Sequence, residues 1–281
     1  MVSASSKFKL GSEIQQPCQQ NIIGVGQFTI VHKLSSKIVR KFPSDPSYYY
    51  SARAVEIEGH VYGHLGKHKR IARCIDWGDD FFDLRYECNG DLESYLKKAR
   101  LTRYAKYRIV RHAVEAVVFI HGKDVIHSDL SARQFLVGKG CNARLSDFGG
   151  SSLQGSEAIV MENAAHFLPR DEDAPNTIRS DLFALGSTIY EILIGKKPYE
   201  GMEDEEIQRL FSEKVFPTLN EIGDQQFRRI VQKRWMCEYD CAEDILNDMP
   251  SVPCFRRILT KIRYTIRNGN SGDTNNRNGT R

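Results

Sequence analysis

The sequence predicts an α+β protein in which a small β-rich lobe precedes a larger helical lobe. Runs rich in β-branched residues and separated by glycine turns occupy the start of the chain, where they indicate strands. Long amphipathic or apolar helical patterns dominate the remainder, up to about residue 265. A chain of 281 residues is long enough to form two lobes that share a cleft.

The small lobe is predicted to contain five strands and one helix. Three strands are expected at residues 21–23, 28–31 and 37–42, and two shorter ones near residues 72–77 and 81–86. Proline and glycine turns separate them. Residues 52–65, between the two groups of strands, carry a helical period whose inward face holds Val55, Val61, Tyr62 and Leu65.

The larger lobe is predicted to be mainly helical. Asp91 is expected to cap a short helix, residues 104–121 are strongly amphipathic, and Ser180 opens an apolar helix that Gly195 ends. Short apolar strands are expected between residues 125 and 150. The predicted division is therefore a polar N-terminal segment at 1–20, the small lobe at 21–86, the larger lobe at 87–265 and a disordered, Asn- and Gly-rich tail at 266–281.

Composition argues against several classes of protein. The net charge of +4 is too small to predict a nucleic-acid partner, and no stretch approaches the roughly 20 apolar residues of a membrane helix. The seven cysteines form no CxxC pair and are expected to be reduced thiols. Because the first residues also lack the apolar core of a signal peptide, a cytoplasmic or nuclear location is expected, without secretion.

Two features near the start of the chain suit phosphate binding. Gly24 and Gly26 lie between two predicted strands, where the backbone can approach a phosphate closely. A strand follows them, whereas a dinucleotide-binding turn requires a helix. Strand alternation places Val39 and Lys41 on the face beneath this turn, so that the Lys41 ammonium could neutralise phosphate oxygens. Taken singly, a tight turn and a solvated lysine are the commoner interpretations.

Two carboxylates lie in loops held between apolar anchors. Asp129 belongs to a polar loop with His127 and Gln134, and Asp147 follows a predicted strand and precedes a pair of glycines. One carboxylate of such a pair can orient or deprotonate a hydroxyl, and the other can bind Mg²⁺. Each aspartate alone would more often be an ordinary turn residue.

In this order and at these spacings, the motifs resemble those of eukaryotic-type protein kinases over roughly residues 20–262. The chain looks closest to the small, divergent kinase-like proteins of fungi. Residues 180–191 and 195–200 add to the resemblance, which implies a two-lobed kinase-like fold. It also implies ATP as a ligand with Mg²⁺, or Mn²⁺ as an alternative, and transfer of the γ-phosphoryl group to a protein hydroxyl, either Ser/Thr or Tyr.

The resemblance assigns a role to each matching position. Asp129 would be the catalytic aspartate, Lys41 would hold the phosphates, and Glu58 would pair with Lys41, with Glu56 as the fallback. Gln134 and Asp147 would be the metal ligands. The nucleotide contacts would be Gly24, Val25, Gly26, Val31, Val39, Lys41, Leu84, Tyr86 and Leu136. Asp181 would brace the catalytic loop, and residues 85–87 would form the hinge. A stack joining the lobes would comprise Cys74, Tyr62, Phe148 and His127.

Several positions depart from the family pattern. No arginine precedes Asp129, Gln134 replaces an asparagine, and Thr29 replaces a third glycine. Val39 is larger than the usual alanine and would crowd the adenine site. Arg170 stands where a glutamate is usual, and residues 236–244, just after Trp235, contain no arginine that could pair with such a glutamate. Because both partners are absent together, no unpaired buried charge is expected there.

These departures leave alternatives open. A pseudokinase that acts as a nucleotide-binding or scaffold protein is the main one, and a small-molecule kinase on the same scaffold is another.

Overall fold

The computed structural model describes residues 21–171 and 173–250. The predicted N-terminal segment, the tail and the end of the larger lobe lie outside these residues. A five-stranded antiparallel sheet forms the small lobe, in the order β1-β2-β3-β5-β4. Its strands are β1 (Ile22–Val25), β2 (Thr29–Lys33), β3 (Ile38–Pro43), β4 (Cys74–Trp77) and β5 (Phe82–Arg85). All five predicted strands of this lobe are present, with ends shifted by a few residues.

One helix, α1 (Tyr49–Leu65), connects β3 to β4 and packs on the sheet. Its buried face includes Val55, Val61, Tyr62 and Leu65, as the helical period predicts. The helix begins three residues before the predicted start. Tyr49 and Tyr50, in its first turn, are exposed, so they add nothing to an apolar period that could reveal the true start.

The larger lobe is helical, with two short antiparallel strand pairs near the cleft. Its helices are α2 (Leu92–Lys98), α3 (Arg103–His121), α4 (Ile178–Ile194), α5 (Asp204–Ser212), α6 (Gln225–Trp235) and α7 (Ala242–Asp248). Its strands are β6 (Val125–Ile126), β7 (Phe135–Gly138), β8 (Asn142–Leu145) and β9 (Ser152–Leu153). β7 pairs with β8 and β6 with β9, both antiparallel. The two-lobed α+β architecture confirms the predicted fold class.

Polar caps set the helix ends that border the cleft. The Asp91 carboxylate accepts a hydrogen bond from the Ser94 N–H at 2.8 Å, which confirms the predicted cap of α2. α4 begins at Ile178, two residues before the predicted start, because Thr177 and Ser180 form a reciprocal capping box. Gly195 ends α4 with a φ of 94°, as predicted.

One apolar cluster runs through both lobes. It includes Val55 of α1, Leu84 of β5, Val117 of α3 and Leu185 of α4, all of them buried. α3 and α4 pack against each other at its centre in the larger lobe. The loops that carry the candidate site residues are therefore attached to rigid packed elements. Among the described residues, every helix is too short or too polar to span a bilayer.

Candidate active site

A cavity of about 320 Å³ lies between the sheet of the small lobe and the β7–β8 hairpin. All nine predicted nucleotide contacts line it, and so do both predicted metal ligands, Gln134 and Asp147. Those nine residues are Gly24, Val25, Gly26, Val31, Val39, Lys41, Leu84, Tyr86 and Leu136. Glu58 and Asp129 do not line the cavity, but each is bonded to a residue that does. The fold thus brings the whole predicted set to one place.

The glycine turn between β1 and β2 covers one side of the cavity. The Gly26 N–H donates to the Thr29 carbonyl at 2.8 Å and closes the turn. A Cβ atom added to Gly24 or Gly26 would approach other atoms no closer than 3.4 Å, and neither residue has a positive φ. The packing of this chain therefore does not by itself require glycine at either position, whereas close approach by a ligand would.

Lys41 joins the two lobes through a pair of carboxylates. Its Nζ lies 2.8 Å from Glu58 Oε2 and 2.6 Å from Asp147 Oδ1. Burial works against the charge of Lys41, but the two carboxylates outweigh it and raise the pKa of the lysine above its ordinary value. Burial raises the pKa of Glu58 to about 7 despite the pull of Lys41. We take Lys41 to be charged, because it is shared between two carboxylates.

Glu56, the alternative partner for Lys41, lies elsewhere. Its carboxylate is exposed and pairs with Arg53 at 2.7 Å, whereas the Glu58 side chain is fully buried. Two positions along a helix turn a side chain to a different face, which explains the difference.

Asp147 occupies a strained position at the mouth of the cavity. Its φ of 65° is uncommon for a residue other than glycine, and the contacts around it must hold it there. Burial would raise the pKa of its carboxyl, but the Lys41 ammonium prevails and holds that pKa below its ordinary value. The side chain is still 45% exposed, so an ionised oxygen remains accessible to a cation.

The loop that carries Asp129 is fixed from below by Asp181. The buried Asp181 carboxylate accepts hydrogen bonds from the N–H groups of His127 at 2.8 Å and Ser128 at 2.9 Å. It also lies 2.9 Å from Nε2 of His121. Ser128 has a φ of 71°, so these bonds hold a backbone shape that the residue would otherwise avoid. Asp181 thus stands where the resemblance requires a brace.

His127 connects the Asp129 loop to the Asp147 loop. Burial lowers the pKa of its imidazole and favours the neutral form. In that form Nε2–H donates to the Ser146 carbonyl at 3.0 Å, and Nδ1 accepts from the Asp129 N–H at 3.3 Å. The ring therefore sets the spacing between the two aspartates.

The Asp129 carboxylate itself contacts the side chain of Gln134, whose Nε2 donates to Asp129 Oδ2. Burial raises the pKa of Asp129 to about 7, and the nearby charge of Asp147 adds to this rise. Arg133 and the Gln134 bond act in the opposite direction. A carboxyl with this pKa can orient a hydroxyl and accept its proton near neutral pH.

Three rings link the lobes beside the site. Tyr62 of α1 contacts Phe148 edge-to-face at a centroid distance of 5.3 Å, and Phe148 contacts His127 at 5.2 Å. Three members of the predicted stack, Tyr62, Phe148 and His127, are therefore in ring contact. The fourth, Cys74 of β4, packs against the apolar core to which Tyr62 and Phe148 belong.

The donor atoms fit a hard divalent cation. Asp147 offers carboxylate oxygens and Gln134 an amide oxygen, which Mg²⁺ and Mn²⁺ both accept. Within the described part of the chain, no group of three or more His, Cys, Asp or Glu side chains could hold a metal ion by itself. A cation here would need further oxygens from a ligand, as Mg²⁺ often does with phosphates.

Arg170, which stands where the family usually has a glutamate, forms a buried ion pair with Glu162. Arg170 Nη2 lies 2.8 Å from Glu162 Oε2, and the same guanidinium contacts Asn176. The sequence did not reveal Glu162, because nothing in its local pattern marks it. The Glu162 charge also contributes to the raised pKa of Asp129, as a smaller cause than burial or Asp147.

A buried arginine lies one residue before Trp235, outside the positions that the expectation of no unpaired buried charge concerned. Arg234 is 1% exposed and donates to the Tyr239 carbonyl at 2.9 Å. Its Nε and Nη1 have no partner among the described residues. Burial lowers the pKa of this arginine to about 10. Nothing in the local sequence pattern marks Arg234 as buried, because only the packed fold encloses its side chain.

Comparison with known proteins gives one family. A family model described as protein tyrosine and serine/threonine kinase matches residues 69–241, which is more than half of the chain. This match does not include Gly24, Lys41 or Glu58, so the case for those residues rests on their geometry.

Curated relatives agree with the family model. The chain is 30% identical over 166 residues to serine/threonine-protein kinase Aurora-1 of Arabidopsis thaliana, covering 56% of this chain and 54% of the relative. Identity to Aurora kinase A-B of Xenopus laevis is 29%, over 58% of this chain and 41% of the relative. Aurora kinase of Schizosaccharomyces pombe is 29% identical, over 50% of this chain and 39% of the relative. The chain thus spans about half the length of these relatives, which come from plants and animals as well as a fungus.

Proposed function

Because the chain belongs to the protein tyrosine and serine/threonine kinase family, we propose that it is an ATP-dependent protein kinase. The observation that carries this proposal is the bonding of Lys41 to both Glu58 and Asp147, across the cleft between the lobes. A nucleotide-binding arrangement of this kind needs the lysine paired with the helix glutamate and an aspartate that can reach a metal ion. The 2.8 Å contact between Lys41 and Glu58 and the partly exposed Asp147 carboxylate support it.

Each residue has a distinct proposed role. Lys41 would bind the α- and β-phosphates, with Glu58 fixing its position. Asp147 and Gln134 would hold Mg²⁺, or Mn²⁺ as the alternative, and a bound cation would neutralise phosphate charge. Asp129 would orient the acceptor hydroxyl and receive its proton. The raised pKa of Asp129 supports this last role, since a base near neutrality is effective there.

The hinge supports a binding mode for adenine. The Tyr86 N–H donates to the Lys37 carbonyl at 2.8 Å and is already used. Glu87 also lines the cavity, and its own N–H has no partner among the described residues. We therefore expect the Glu87 N–H to be the hinge donor for the adenine ring, while Tyr86 contributes apolar contact.

The pseudokinase alternative is less well supported. Lys41 contacts both Glu58 and Asp147, and Asp129 lies close enough to Asp147 for that charge to help raise its pKa, which supports transfer over a scaffold role. Val39 narrows the cavity roof, but about 320 Å³ remains. The name of the Aurora-1 relative specifies a serine/threonine kinase, so protein serine and threonine are the first acceptors to test, with tyrosine and small molecules after them.

The deciding experiment measures transfer from labelled ATP to a generic protein substrate, with Mg²⁺ and Mn²⁺ assayed side by side. Replacing Asp129→Ala removes the proposed base and should lower the rate by about 10²- to 10⁴-fold. Asp79→Ala, at an exposed turn, is the matched control and should leave the rate unchanged. The proposal would be overturned if wild type transferred no phosphate with either metal, or if Asp129→Ala were as active as wild type.

A cytoplasmic or nuclear location also stays a proposal. The five cysteines that the structure describes are all free thiols, which is typical of a reducing compartment.

A further inference from the structure

A second cavity, of about 510 Å³, lies at the C-terminal end of α1. The turn after α1, strand β4 and the ends of β5 and β8 line it. It shares only Arg85 with the nucleotide cavity, so the two are separate sites. We refer to this second cavity as the basic cleft.

The lining of the basic cleft has one sign of charge. Its ionisable side chains include five cations and, in the described chain, no carboxylate; the cations are Lys67, Lys69, Arg73, Arg85 and Arg144. His68 also lines the cleft, but burial lowers the pKa of its imidazole and it adds no charge at neutral pH. Since the whole chain carries a net charge of only +4, this concentration of positive charge is local.

Most of these cations remain available to a ligand. Two of the five cations already have a carboxylate partner. Lys69 pairs with Glu115 at 3.5 Å, and Arg144 pairs with Glu87 at 3.0 Å. Lys67, Arg73 and Arg85 are exposed and form no ion pair with any described residue. Three free cations that converge on one concave surface favour an anionic partner, because their mutual repulsion falls when it binds.

The floor and rim of the basic cleft are apolar. Ile71, Ala72 and Tyr62 form a buried floor, and the Tyr62 hydroxyl has no hydrogen-bond partner among the described residues. Ile75 and Trp77 stand at the rim with 49% and 45% of their surface exposed. Exposed aromatic and aliphatic groups beside cationic side chains are typical of a protein-binding surface.

The terminal segments of this chain are poor candidates for the occupant. Residues 251–281 contain seven Lys or Arg against a single Asp, and residues 1–20 contain two Lys against one Glu. Both segments are positively charged and would be repelled by the cleft. A ligand with the complementary charge must therefore come from elsewhere.

We propose that the basic cleft docks an acidic segment of another protein, with a large apolar side chain on the floor and flanking Asp or Glu residues on Lys67, Arg73 and Arg85. The segment is recognised by charge and by one or two apolar anchors, which limits the affinity to the range of transient complexes. This docking site does not depend on the proposed kinase activity, since it lies outside the nucleotide cavity.

Binding of a fluorescein-labelled peptide tests the proposal. The peptide has a central Leu-Phe pair with Glu residues on both sides, and anisotropy is measured with the full chain. We expect a Kd of about 10 µM at low ionic strength, weakening as salt is added. Replacing the Leu-Phe pair by Ser-Ser should weaken binding, and replacing Glu by Lys should abolish it.

Two charge-matched variants locate the site. Arg73→Glu/Arg85→Glu should weaken binding at least on the order of tenfold, whereas Lys196→Glu/Lys214→Glu, at exposed positions of the larger lobe, should not. Equal thermal stability of the two double variants would show that any loss of peptide binding arises at the cleft and not from unfolding. The proposal is wrong if wild type does not bind the peptide, if both variants bind equally, or if a poly-uridine RNA binds the same cleft more tightly.

Discussion

Gln134 is the proposed metal ligand whose length should distinguish Mg²⁺ from Mn²⁺. Its amide nitrogen is committed to Asp129, so its carbonyl oxygen is the atom left to bind a cation. Its side chain is one methylene longer than that of the asparagine usual in the family. Because Mg²⁺ requires nearly ideal octahedral geometry, a displaced ligand affects Mg²⁺ more than a cation with looser requirements.

Shortening this side chain should therefore favour Mg²⁺. In the transfer assay, we expect wild type to work faster with Mn²⁺, and Gln134→Asn to raise the Mg²⁺/Mn²⁺ rate ratio on the order of tenfold. Gln232→Asn makes the same chemical change on the exposed surface of α6 and should leave the ratio unaltered. A ratio that is the same in wild type and Gln134→Asn would contradict the argument.

The individual site residues differ in how visible they are in sequence. Lys41, Asp129 and Asp147 each stand in a local pattern with a recognisable context, and the fold brings them together as expected. Glu162 has no such context, because its role depends on Arg170 eight positions away and on burial. Arg234 is similar, since only the packed structure reveals that its guanidinium is enclosed.

At the scale of elements, the Trp77 ring packs against one face of α1. Trp77 of β4 lies across Gly59 and Gly63 of this helix, and Gly59 follows the glutamate that pairs with Lys41. A Cβ atom at Gly59 would lie 2.9 Å from the indole ring, but one at Gly63 would lie at 3.5 Å, an ordinary contact. The ring therefore allows a side chain at one glycine and not at the other.

The two glycines should respond differently to the same substitution. Gly63→Ala should raise the free energy of unfolding by roughly 0.5–1 kcal/mol, because alanine favours helix. Gly59→Ala should not increase the free energy of unfolding, because its Cβ atom clashes with Trp77. It should also lower the transfer rate, because the clash displaces α1 and with it Glu58. Urea unfolding and the transfer assay measure both effects. Equal stability and equal activity of the two variants would show that Trp77 does not position the helix.

Sequence periodicity was a more reliable guide to which elements form than to the residues at which they begin. α1 and α4 both start before the predicted residue, since their first turns are defined by exposed tyrosines and by a capping box, neither of which extends an apolar period. The helix ends marked by Asp91 and Gly195 were predictable, because a capping side chain and a left-handed glycine leave a local signal. The basic cleft was not visible, since three separate stretches of chain supply its cations.

At the scale of the whole molecule, buried titratable groups make stability depend on pH. His112 of α3 is buried, and its Nδ1 accepts a hydrogen bond from the Ala143 N–H of β8 at 3.3 Å. Burial lowers the pKa of this imidazole from 6.5 to about 3, and the nearby charges of Arg70 and Arg108 add to the shift. The folded protein therefore keeps His112 neutral at pH values where the unfolded chain protonates it.

This difference predicts an acid-dependent loss of stability. Between pH 6.5 and about 3 the unfolded state binds one more proton at this position, so the free energy of unfolding falls as the pH is lowered. One histidine contributes at most about 1.4 kcal/mol per pH unit. His112→Asn keeps an oxygen that can accept from Ala143 but cannot titrate, so its unfolding free energy should fall less steeply from pH 6.5 to 5. Urea unfolding across this range measures the slope, and His60→Asn, at an exposed position, should behave as wild type. Parallel curves for wild type and His112→Asn would mean that the acid sensitivity of the fold arises from its other titratable groups.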